Sequence, residues 1–188
     1  MQKSLLLASF TGALTGLLVA VMVAIGIAYT GAYNVAATEE HTSAVRWLFD
    51  TTFRNSVQAR AAKIRPPENY TPEMIAAGAS DYKLMCQHCH SGPGIEREKW
   101  AEGMRPNPPR LKDAAKNWKP NEVFWIIKYG AKMSGMPAFG PTHEDKELWN
   151  IAAFVSQLPA ITSQEYVRMS GDHSDTNQGK QSSPKEIE

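Results

Sequence analysis

The stretch Cys86-Gln87-His88-Cys89-His90 decides how the rest of the 188-residue chain is read. C-x-x-C-H is the spacing at which a c-type haem is attached. Two thiols about one helical turn apart can each add to one vinyl group of a single haem. The histidine directly after the second thiol then lies under the iron. Cys86 and Cys89 are the only cysteines, so none is left for a disulfide. A structural zinc site would need a second ligand pair, and neither another cysteine nor an H-x-x-x-H follows. A thioredoxin-like dithiol calls for a surrounding βαβ pattern, and the sequence has none.

An iron held by His90 has a sixth position to fill. Methionine there favours the reduced iron and makes a high-potential electron carrier. Met136 stands 46 residues after His90, directly before Pro137. It falls in a loop between two expected helices, where a core role is unfavoured and the proline can hold the thioether still. Met133 in the same loop is the other candidate. The second ring nitrogen of His90 needs an acceptor to fix the ring. A backbone carbonyl would serve, and Pro109, ahead of Arg110-Leu111, is a candidate.

Outward from the motif, the pattern is helical. Thr71-Pro72-Glu73 reads as a helix start, with a capping hydroxyl and proline in the first turn. That helix runs through Gly78, Tyr82 and Met85 into the cysteines. Gly78 and Tyr82 share a face, which suits a close helix crossing. Residues 95–118 read as a long polar loop with Pro106, Pro108 and Pro109. Pro120 opens the next helix, with Val123 to Ile127 as its apolar body and Gly130 as its cap. His143 to Leu158 reads as the last helix, stopped by Pro159. Residues 169–188 are expected to be a disordered tail.

Toward the N-terminus, residues 4–38 carry no charge. A helix from Leu5 to Tyr29 would span about 37 Å, enough for a hydrocarbon core of about 30 Å. A signal peptide has a shorter apolar region, although Val35-Ala36-Ala37 has the small residues of a cleavage site. An uncleaved anchor over residues 1–38 is the reading favoured here. Gly12 and Gly16 form a G-x-x-x-G within it, a spacing that allows close helix packing. Residues 39–65 read as a juxtamembrane amphipathic helix, with Val45, Leu48, Phe49, Thr52, Phe53 and Val57 recurring on one face. It is expected either to dock on a partner or lipid headgroups, or to pack on its own domain. Residues 66–70 form the linker beyond it.

The net charge of +1 gives no field that would gather nucleic acid. No phosphate-binding glycine loop or Ser-His-Asp arrangement is visible.

Residues 71–160 resemble the class I monohaem c-type cytochromes. The resemblance rests on Gly78-x-x-x-Tyr82-x-x-x-Cys86-x-x-Cys89-His90, on Pro108-Pro109-Arg110-Leu111, on Gly135-Met136-Pro137-Ala138-Phe139, and on a final helix with Leu148-Trp149 and Phe154. The whole chain resembles the proteobacterial members that keep an N-terminal membrane anchor. The resemblance implies an all-α fold: a class I cytochrome c domain over 71–168, wrapped around one covalent haem c, behind a transmembrane and a juxtamembrane helix. It implies thioether bonds at Cys86 and Cys89, His90 and Met136 as iron ligands, and Pro109 as the carbonyl that holds His90. It also implies that Gly78 and Tyr82 cross the Trp149–Phe154 region.

The expected function is electron carriage without substrate chemistry, so the chain is not expected to be an enzyme. The expected place is the bacterial inner membrane, single-pass, with the haem domain in the periplasm, because this kind of attachment occurs outside the cytoplasmic membrane. Expected partners are membrane lipid and redox proteins: a quinol–cytochrome c reductase or dehydrogenase, and a terminal oxidase or reductase. The alternatives are a fixed haem subunit of a larger complex, and a haem enzyme or gas-binding protein with a labile sixth ligand. Residues 104–133 carry a net charge of +5, which suggests a face for an acidic redox partner.

Overall fold

A computed structural model describes residues 2–171, and they fall into two units divided after Glu39. The first unit is a single helix, α1 (Gln2–Thr30), followed by an irregular stretch. Leu6–Thr30 of this helix is long and apolar enough to cross a membrane.

The second unit holds the other helices: α2 (Ser43–Ala61), α3 (Pro72–Met85), α4 (Gln87–His90), α5 (Leu111–Ala114), α6 (Pro120–Tyr129), α7 (Asp145–Gln157) and α8 (Ser163–Gly171). Three short 3₁₀ segments lie between them, at Lys99–Gly103, Ala115–Asn117 and Leu158–Ala160. Among the described residues there is no strand, only an isolated bridge between Gly92 and Ile95. The fold is all-α.

Local chemistry sets the helix starts. The Thr71 hydroxyl accepts from the Met74 N–H at 3.3 Å, and Pro72 occupies the first turn of α3. Pro120 does the same for α6, where Glu122 accepts from the Lys119 N–H at 2.8 Å. Each such cap satisfies an N–H that the helix itself leaves unpaired.

The core forms where α3 crosses α7. Gly78 permits it: a Cβ there would lie 2.0 Å from the backbone oxygen of Asn150. Tyr82 follows one turn later and meets Phe154 at 5.1 Å between ring centroids. Helix α6 covers the same core with Val123, Phe124 and Ile127, and Phe124 stacks on Trp149 at 4.1 Å. Burying a side chain of this size contributes about 1.5–3 kcal/mol, and several such side chains meet at this crossing.

Three stretches differ from the sequence reading. Residues 95–118 are not one loop, because Lys99–Gly103, α5 and Ala115–Asn117 each form a short helical turn. Pro159 does not end the chain's helical structure: it sits in the 3₁₀ turn after α7, and α8 follows. Helix α8 reaches Gly171, so the tail expected from residue 169 begins with helix. The rest of that expected tail lies outside the described residues.

The juxtamembrane helix is shorter than 39–65. Its C-terminal half packs on its own unit: Val57 and Ala61 are fully buried, and the Asn121 amide donates to the Ala61 carbonyl at 2.8 Å. Arg54 lies 4.7 Å over the Trp118 ring. Its N-terminal half, with Trp47, Leu48 and Phe49, is exposed.

Candidate haem-attachment site

The two cysteines lie at the end of α3 and on α4, which are almost continuous. Cys86 stays in a right-handed helical conformation, and its carbonyl accepts from the N–H groups of both Cys89 (3.1 Å) and His90 (2.9 Å). This is one turn of helix, so both thiols and the imidazole are carried by one rigid element. Ser91, at φ +66°, ends it. The Tyr82 hydroxyl donates to the Ser91 carbonyl at 2.6 Å, tying the end of the turn back to α3.

His90 is half-buried, and its Nδ1 lies 2.8 Å from the Pro109 carbonyl. A carbonyl can only accept, so Nδ1 carries the proton. Nε2 is then the unprotonated nitrogen, with its lone pair free to bind a metal. Burial lowers the pKa of the ring, and the nearby Arg97 charge lowers it further, against the Pro109 contact. The imidazole is therefore neutral at pH 7, the form a metal requires.

The loop that carries Pro109 is braced on the motif. The Arg97 guanidinium donates to the Pro108 carbonyl at 2.8 Å and to the Asn107 side chain. Arg110 pairs with Glu96, and the Glu98 N–H donates to the His88 carbonyl at 2.9 Å. The long connection is thus tied across itself and held to the motif at His88.

The thiols lie in an environment unlike that of a redox dithiol. Burial, with Asp81 and Cys89 adding to it, pushes the Cys86 thiol up to about 12. Burial also raises Cys89. A thioredoxin-type cysteine works by the opposite shift. Among the described residues no group of three or more His, Cys, Asp and Glu side chains is placed to hold a metal ion.

Met136 lies in the loop between α6 and α7 and is half-buried. Its N–H donates to the Ser134 hydroxyl at 3.2 Å, and its carbonyl accepts from Ala131 at 3.3 Å. The loop is closed at its base, where the N–H groups of Phe139 and Gly140 donate to the carbonyls of Ile127 and Lys128. Gly130, at φ +67°, permits this closure, since a Cβ there would meet the backbone of Pro137 and Ala138 at 2.7–2.8 Å. Met133 is 76% exposed, at φ +61°. The structure thus brings Cys86, Cys89, His90 and Pro109 together and sets Met136 on a separate closed loop.

Residues 73–155 match the family model for cytochrome c oxidase, cbb3-type, subunit III. This part of the chain is a c-type cytochrome. No curated protein matches the chain. A c-type cytochrome carries covalently bound haem c with its iron, serves haem-based electron transfer and works with redox partners. The site of this cytochrome fits that group: two thiols on one turn, and a neutral imidazole beside them whose Nε2 is free. An apolar helix of membrane-spanning length precedes the cytochrome domain, consistent with an anchor.

The sequence reading missed α8 and what it touches. Tyr166 is fully buried against Tyr82 and Phe154, and its hydroxyl donates to the Gln87 side-chain oxygen at 2.6 Å. The available signal was Thr162-x-x-Glu165, a capping-box pattern. The structure shows it formed: the Thr162 N–H donates to the Glu165 carboxylate at 2.9 Å, and the Glu165 N–H donates to the Thr162 hydroxyl at 3.3 Å.

Proposed function

We propose that the chain is a membrane-anchored electron carrier of the bacterial inner membrane, with its haem domain in the periplasm. In this reading Cys86 and Cys89 form the thioether bonds, His90 and Met136 ligate the iron, and Pro109 orients His90. The contact between His90 Nδ1 and the Pro109 carbonyl carries the reading, because it leaves Nε2 as the one free donor of the ring.

When bound, haem supplies a one-electron iron couple. The chain's own residues decide how that couple behaves. Pro109 fixes the imidazole's tautomer and plane and makes Nε2 a better donor. Met136 offers a soft thioether, which favours the reduced state and raises the potential. Were His90 and Met136 both to bind the iron, they would leave it no open position for a substrate, so that only electrons would pass.

The visible spectrum of the purified protein tests this. A thioether–iron charge-transfer band in the far red, and slow carbon monoxide binding after reduction, are expected. Rapid carbon monoxide binding would instead support a gas-binding or enzymatic haem.

A second reading draws on the family match: the chain is a fixed haem subunit of a larger respiratory complex, held by α1 and the exposed half of α2. Purification in mild detergent separates the two readings. A carrier comes away alone, whereas a fixed subunit brings the same partner polypeptides in constant ratio.

A further inference from the structure

Helix α8 lies beyond the matched residues 73–155, yet it contacts the attachment turn directly. Three observations converge on Tyr166. Its ring is wholly buried between Tyr82 and Phe154, 6.2 and 5.7 Å away between centroids. Its hydroxyl donates to Gln87 Oε1 at 2.6 Å. Its ring edge also lies so close to Gly92 that a Cβ there would sit 2.9 Å from it. Gln87 is one of the two residues between the cysteines, and Gly92 directly follows Ser91, which ends the turn. Tyr166 therefore grips the attachment turn on both sides. Tyr82, which Tyr166 packs against, holds the same turn through the Ser91 carbonyl.

The geometry points to Tyr166 as a positioning residue: acting through Gln87 and Gly92, it fixes the turn that carries Cys86, Cys89 and His90, and so the plane of the His90 ring beneath the haem. Pro109 holds the ring from one end of the imidazole, and α8 holds the backbone from which the ring hangs. This inference rests on His90 being an iron ligand.

The test uses the full haem-loaded chain in detergent and the variants Tyr166→Phe, Gln87→Leu and Gln87→Glu. The low-spin electron paramagnetic resonance signal of the ferric wild type, which depends on the orientation of axial ligands, first checks that His90 ligates. Its absence would sink the ligation reading and this proposal with it, whereas its presence together with unchanged variants would sink this proposal alone. Tyr166→Phe keeps the ring and loses only the hydroxyl, so the fold is retained. About fivefold faster amide exchange at His90 and Ser91 is expected, as for the loss of one hydrogen bond, together with shifted resonance values. Gln87→Leu is expected to match it, and the double variant to add nothing further. Gln87→Glu retains an acceptor and is expected to stay near wild type. Wild-type exchange and resonance values in Tyr166→Phe would overturn the proposal. So would a change in Tyr166→Phe that Gln87→Leu does not share.

Discussion

Met133 and Met136 stand three residues apart in one loop, and their backbones already separate them. Met133 points into solvent from a left-handed conformation, which costs a non-glycine residue about 1–2 kcal/mol. Met133→Gly is therefore expected to leave the visible spectrum unchanged and to hold stability level or raise it by up to about 1 kcal/mol in thermal unfolding. Met136→Ala is expected to abolish the far-red band and to open the reduced protein to carbon monoxide, read by stopped-flow absorbance. If Met133→Gly instead removes the band, the two have been assigned the wrong way round. At this scale the sequence showed the spacing of Cys86, Cys89 and His90, which one helical turn dictates, and named Pro109 as a candidate acceptor for His90, a contact that the structure contains. Gln87 and Tyr166 were not legible, because a hydrogen bond across 79 residues leaves no periodic trace.

Among the elements, the α3–α7 crossing has the least tolerance. Gly78→Ala would drive a methyl into the Asn150 carbonyl, backbone that cannot swing aside. A loss of about 3 kcal/mol is expected, measured by denaturant titration, and a loss under about 0.5 kcal/mol would contradict the close approach. Helix α8 depends on pH through its first turn. Hydrogen bonds from the Thr162 backbone N–H and hydroxyl hold the Glu165 carboxyl below its ordinary value of 4.5. A carboxylate with a lowered folded pKa contributes its stability above 4.5 and loses it as the pH falls through the lowered value. Amide protection in α8 is therefore expected to fall as the pH drops from 4.5 through the lowered value, and Glu165→Gln to remove that dependence. The long helices were legible because apolar residues recur along them. Helix α8 has nine residues, and apart from Tyr166 only Val167 and Met169 are large and apolar, too few to register as a face. The four-residue α5 falls below any period.

For the molecule as a whole, charge is the feature that reaches a partner. The net +5 of residues 104–133 would draw an acidic redox protein toward that stretch, and salt would screen the attraction within about 10 Å at 0.1 M. The second-order rate of electron transfer to an acidic acceptor is expected to fall steeply as ionic strength rises, in stopped-flow mixing. A flat series would show that this stretch steers nothing. The sequence could reveal an amphipathic α2 but not what lies against it, since an apolar face of that kind serves a partner, a bilayer or its own domain equally well. The structure gives its second half to α6 and Trp118. That arrangement bears on modularity. The segment the family shares, 73–155, is flanked by α2, whose buried Val57 and Ala61 belong to the same unit, and by α8, which supplies Tyr166 to the core. Excised at the family boundaries, the segment would expose both surfaces to water. A transplantable electron-transfer cassette from this protein must therefore run from Ser43 to Gly171, and a chimera spliced at the conventional limits would inherit the haem ligands without the scaffold that holds them.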